Sequence, residues 1–160
     1  MTELWIQFSE RLDLNEAEYK WMEEQLEYLY VYGEQEYTLE TCPPELLARR
    51  ADREGYRFFR SVDLADGELF KYKLVNANGE RYVHIHAEDY GYPEHVGMLI
   101  QAFLRRFRPN DRWAMEYALT CSHPTPKEFG GGAVLVTADK IECRTTAEIV
   151  AEFLGETDSP

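Results

Sequence analysis

Four residues in two pairs have the chemistry to bind zinc: His84-x-His86 and Cys121-x-His123. Strand residues two apart point the same way, so each pair offers two ligands, and the four together would make a set of one cysteine and three histidines. Nothing in the sequence says that the pairs meet, and histidines beside a tyrosine such as Tyr82 are commoner on surfaces than on metals. A nucleophilic Cys121 paired with His123 or His84 is a weaker variant, because a strand-end cysteine among prolines gains no helix dipole to lower its pKa. The stretch from Cys121 through Ser122, His123, Glu128 and Phe129 to Gly130, Gly131 and Gly132 is too long for a tight hairpin. It is also rich in residues with special backbone angles. It is read as a loop, and as the first place to look for a site. The chain has no G-x-x-x-x-G-K-[ST], G-x-S-x-G, H-E-x-x-H or C-x-x-C. The triple glycine precedes a strand, whereas phosphate loops precede helices.

A second kind of chemistry is electrostatic. Residues 1 to 40 hold eleven acids against Arg11 and Lys20, so this part carries −9 of the total −13. Such a field repels phosphate and favours a protein partner with a basic surface, while direct nucleic-acid binding is not expected. The bland reading is a solubilising face. Glu16, Glu23, Glu24 and Glu27 fall on the outward side of a helix, and Tyr28, Tyr30, Tyr32 and Tyr37 interleave with Glu34 and Glu36. Tyrosine supplies contact area at small entropic cost and acid supplies steering, a mixture suited to binding. The same tyrosines could equally pack inward with their hydroxyls at the boundary.

The elements that position these residues follow from periodicity. Leu4, Trp5, Ile6 and Phe8 form an apolar patch that either pairs as a strand or docks on the first helix. Asn15 and Glu18 form a capping box for that helix, Leu14, Ala17, Trp21, Met22, Leu26 and Leu29 line its apolar stripe, and Gly33 ends it. Cys42-Pro43-Pro44 leads into a short helix over 45–53, stopped by Gly55. A three-stranded meander comes next, with strands at 57–62, 68–75 and 81–87, the last two joined by Asn78-Gly79. In the last strand Val83 and Ile85 share one face, and Tyr82, His84 and His86 the other.

Pro93 opens a helix to Phe107 whose Val96, Leu99, Ile100, Phe103, Leu104 and Phe107 repeat at helical spacing. Arg105, Arg106 and Arg108 gather at its C-terminus, where the dipole favours cations. Trp113, Met115, Tyr117 and Leu119 alternate along a strand over 113–120, and 133–138 is its apolar neighbour in mid-sheet. A short edge strand at 141–144 and a last helix capped by Thr145 and Glu148, bearing Ile149, Val150, Phe153 and Leu154, complete the order. The expected fold is α+β: a two-layer sandwich with a mainly antiparallel sheet of five or six strands and helices on one face. One domain is expected over 1–160. Its acidic helical part, 1–54, packs on a core at 55–154, and 155–160 is a frayed tail.

Three cysteines, an odd number with no paired spacing, the absence of a basic region and long apolar run at the start, and apolar runs too short for a bilayer lead to the expectation of a cytoplasmic, soluble protein without membrane contact. Oligomeric state is left open. Leu14 to Trp21, Glu94-His95-Val96 with Phe107-Arg108-Pro109, and Thr120 to Pro124 with Glu128 to Val134 together resemble a set of small acidic proteins of unknown function. That set comes from bacterial plasmids, prophages and integrative elements. The resemblance implies an accessory role in a mobile element, of anti-defence or host-takeover type, anti-CRISPR and anti-restriction included. It transfers no catalytic residue. The expectation is a non-catalytic acidic binding protein that blocks a basic, nucleic-acid-binding surface of a host or defence protein, with no cofactor. The alternative is a metal-dependent enzyme with zinc at His84, His86, Cys121 and His123.

Overall fold

Asn78 and Gly79 both adopt positive φ, 55° and 78°, the geometry of a two-residue hairpin whose twist matches its strands. They join β2 (Lys71–Ala77) to β3 (Glu80–Ala87) in an antiparallel pair, the last two strands of the expected meander. The computed structural model describes residues 4–32, 70–89, 91–121 and 129–155, except the side chains of Leu4 and of 27–32. Gly33, Cys42, the helix expected over 45–53 and the strand expected over 57–62 lie outside these.

The N-terminal patch is a strand, not a docked segment. β1 (Leu4–Asp13) is central, pairing through Phe8–Asp13 with β3 and through Leu4–Gln7 with β4 (Arg112–Cys121). β5 (Gly130–Thr137) and β6 (Ile141–Thr145) follow, giving an antiparallel order β2-β3-β1-β4-β5-β6. The α+β expectation holds, with six described strands and the helices roughly on one side.

The pairing gives the sheet two distinct faces. Phe8, Leu12, Val83, Ile85, Met115, Val134 and Val136 lie on the inner face, all buried. Onto it packs α2 (Pro93–Phe107), with Val96, Leu99, Ile100, Phe103 and Leu104 buried. Each fully buried large side chain contributes roughly 1.5–3 kcal/mol. Gly97 lets the helix approach β5, since a Cβ there would sit 2.9 Å from Val134. Arg105 does more than face the dipole, donating from Nε to the Ala138 carbonyl at 2.6 Å and so tying the helix end to the β5–β6 turn. α1 (Glu16–Tyr32) crosses α2, with Trp21 packed 6.0 Å from Phe103 and 5.9 Å from Phe107. Its buried stripe is turned one residue from expectation: Ala17 is exposed, while Glu18 and Gln25 are buried. The last helix, α3 (Thr146–Leu154), has the expected capping box from Thr145 and Glu148, and Gly155 caps its other end at φ 73°.

Candidate functional site

The acid-rich helix divides its carboxylates between two roles. Asn15 Oδ1 accepts the Glu18 N–H at 2.9 Å, and Glu18 Oε1 accepts the Asn15 N–H at 2.8 Å, which starts α1. Glu18 then turns inward. Its Oε2 accepts Arg108 Nε at 2.8 Å and its Oε1 accepts Nη2 at 3.0 Å, a two-toothed grip on a guanidinium. Burial pushes this carboxyl's pKa up, but the Arg108 hydrogen bonds, the Asn15 N–H and the Arg108 charge outweigh it and hold the pKa below its ordinary value. Glu18 is therefore structural. Glu16, Glu23 and Glu24 are exposed, as expected, with Lys20 spanning 3.8 Å to Glu16. Glu27, Tyr28, Tyr30 and Tyr32 belong to the same helix, but their side chains lie outside the described residues, as do Glu34, Glu36 and Tyr37 entirely.

His84 and His86 sit on the outer face of the sheet with their rings stacked at 4.6 Å. Ser9 Oγ lies 2.6 Å from His84 Nε2, a contact set by β1–β3 pairing that no local sequence pattern announces. A serine on an imidazole is the first half of a nucleophile–base–orienter arrangement. Among the described residues no carboxylate meets the other nitrogen of His84. Burial pushes the His86 pKa down, His84 and Lys71 push the same way, and Glu88 opposes them. A folded value below the unfolded one of about 6.5 makes the unfolded chain the better proton acceptor, so stability falls as pH is lowered through that region. His86→Gln is expected to flatten the slope of melting temperature between about pH 7.5 and 5.5; an unchanged slope would assign the titration to another group.

Cys121 is far from this pair. It lies buried on the inner face opposite Leu4, whereas His84 lies on the outer face opposite Arg11. Those positions are seven residues apart along β1, about 23 Å at about 3.3 Å per residue. The structure thus does not bring Cys121 and the two histidines together. Ser122, His123 and Glu128 lie outside the described residues. Among the described residues no group of three or more His, Cys, Asp or Glu is placed to hold a metal ion.

The glycine triplet corrects the loop assignment. Gly130, Gly131 and Gly132 are the first residues of β5, paired with Leu119, Ala118 and Tyr117, and Cys121 is the last residue of β4, so only Phe129 of the described loop candidates lies outside a strand. The reason is contact: the Tyr117 side chain lies where a Gly132 Cβ would be. A strand glycine of this kind marks a close approach, and the alternation of 113–120 continuing opposite the triplet was its available signal. Sequence reading also missed a cavity of about 380 Å³ on the outer face. Ala114 and Leu135 are among its apolar lining, together with Arg112, Lys140 and Glu142.

Among the described residues no helix is long and apolar enough to cross a membrane. Compared with protein-family models, curated proteins and solved structures, the chain matches none.

Proposed function

We propose that this is a non-catalytic acidic binding protein, whose α1 face occupies a basic, nucleic-acid-binding surface of a host or defence protein. This is the accessory role that the mobile-element resemblance implies. The supporting observation is the division of labour along α1. Trp21, Met22, Leu26 and Glu18 are buried against the domain, which fixes the helix rigidly, while Glu16, Glu23 and Glu24 are left at the surface. A rigid row of carboxylates gains from electrostatic steering toward a basic surface, the attraction that also brings DNA to the same groove. Binding and nucleic acid then compete.

The test is capture from a host lysate at about 50 and 300 mM salt, with and without added duplex DNA, using the wild type and a variant with Glu16, Glu23, Glu24 and Glu27 changed to Gln. The wild type is expected to retain a partner at low salt and release it to salt or DNA. The variant should lose it while each substitution alters stability by no more than about 0.5 kcal/mol. Capture unaltered in the variant, with unaltered salt dependence, would reduce the acidic face to a solvated surface.

A further inference from the structure

The β6 edge and the helix that follows it are built to meet themselves. We infer that they form a two-fold interface with a second copy of this chain. The Thr137 N–H donates to the Lys140 carbonyl at 2.8 Å, which fixes the ladder alternation: Lys140, Glu142 and Arg144 direct their backbone groups toward β5. Ile141, Cys143 and Thr145 direct theirs outward, and among the described residues no strand takes them. An open edge of this kind is a template for another strand.

The side chains supply the register. Antiparallel pairing of β6 with its own copy about a two-fold axis at Cys143 sets Glu142 opposite Arg144 of the second copy, and Arg144 opposite its Glu142. Opposite charges directly across a pair stabilise it. The outward backbone groups of the two Cys143 residues exchange hydrogen bonds at the centre, and the Ile141 N–H groups reach the Thr145 carbonyls on either side. The Thr145 N–H stays with Glu148 Oε2 at 3.4 Å in the capping box.

The helix adds the apolar surface. α3 has no buried residue, and Ile149, Val150, Phe153 and Leu154 are 49%, 55%, 88% and 60% exposed. They form one stripe. Glu148 and Glu152 occupy the opposite side, turned back to Thr145 and Arg144. A nine-residue helix is marginal on its own, yet about half or more of each of these four apolar side chains is left exposed in one copy. With Phe129, 56% exposed and next to Gly130, which adjoins Thr146 at the start of α3, these side chains present on the order of 500 Å² per copy, if an aromatic side chain offers roughly 150–250 Å² and an aliphatic one somewhat less. Two copies reach the roughly 1,000 Å² that a specific interface needs, before the strand backbone is counted. α3 starts three residues past Cys143, about 10 Å from the axis, so the two helices flank the joined strands. The net charge of −13 opposes association, so the dimer should tighten as salt is raised from low values to about 0.15 M.

Sedimentation of the full chain across the micromolar range is expected to show a monomer–dimer equilibrium. Val150→Ser with Phe153→Ser should weaken it about tenfold or more without lowering the melting temperature at concentrations where the chain is monomeric, since both side chains are exposed in one copy. Arg144→Glu should weaken it as well, by setting Glu against Glu. Adding Glu142→Arg to that variant should restore dimerisation, which a merely sticky helix would not require. Directly opposed, hydrogen-bonded strand residues have Cα atoms about 5.5 Å apart, within disulfide reach, so copper-phenanthroline should yield a covalent dimer that Cys143→Ser abolishes. A monomer at every concentration overturns the inference. So does a dimer that responds to the stripe but neither to the charge swap nor at Cys143.

Discussion

Arg108→Ala is expected to lower the free energy of unfolding by about 3 kcal/mol, seen as a shift in the urea midpoint with little change in slope. One residue joins three elements. Its guanidinium holds the Glu18 carboxylate at the start of α1 and donates from Nη2 to the Asp13 carbonyl at the end of β1 at 2.8 Å, while its backbone N–H, which alanine would keep, donates to the Leu104 carbonyl at the C-terminus of α2. Glu18 is 4% exposed and Arg108 30%, so truncating the arginine strands a carboxylate with little water to replace it. The partial exposure of Arg108 places the effect at the lower end of the range for a broken buried pair. Arg108→Lys should recover only part, because an ammonium cannot grip both carboxylate oxygens and the carbonyl in one plane. The sign with pH follows from Glu18. Its folded pKa is depressed, so its contribution is present above the unfolded value of about 4.3 and is lost as pH falls through the folded one. The gap between wild type and Arg108→Ala should therefore narrow below about pH 4. A gap of constant size would show that the guanidinium over the Phe103 ring, with Cζ 5.2 Å from its centroid, is the main contribution.

Gly132→Ala is expected to cost about 2–3 kcal/mol, although alanine is the smallest possible addition and the backbone angle is ordinary. The new methyl would meet the backbone carbonyl of Arg144 on β6 and lie 2.6 Å from the Tyr117 hydroxyl. Tyr117 could swing away, but a carbonyl held in the β5–β6 ladder moves only with its strand. Gly130→Ala is the control. Its methyl would meet only Thr146 Oγ1, at 3.1 Å, and thermal melts should show a much smaller loss. Equal losses would mean that backbone entropy, rather than contact, decides at both positions.

Local chemistry was legible and distant pairing was not. Asn78-Gly79, the two capping boxes at Asn15 and Thr145, the α2 stripe and the alternation from Trp113 to Leu119 each write their structure within about eleven residues, and each is found as read. The place of β1 depends on partners at 82–87 and 118–121, which no window around Leu4 contains. The inward turn of Glu18 has the same origin, since a carboxylate reads as solvent-facing until a guanidinium from the end of α2 is brought beside it. The glycine triplet was misread because glycine signals freedom of φ more often than want of room. Of the candidate site, the exposure of Glu16, Glu23 and Glu24 was legible from helical spacing, whereas the Ser9–His84 contact and the separation of Cys121 from the histidines are properties of the sheet order.

That order also sets a sequence of events in time. The β2–β3 hairpin closes on two residues and the β5–β6 turn is nearly as short, so both can form within microseconds of chain collapse. β1 must wait, because residue 12 pairs with residue 83 and residue 6 with residue 119, and a strand so remote in sequence pays its loop entropy before any ladder bond rewards it. Until it arrives, the nascent sheet exists as two halves, each with an unpaired flank at β3 or β4. A chain copy that lends its own β1 to another's halves would close them as well, so strand exchange is expected to compete with correct closure at high concentration.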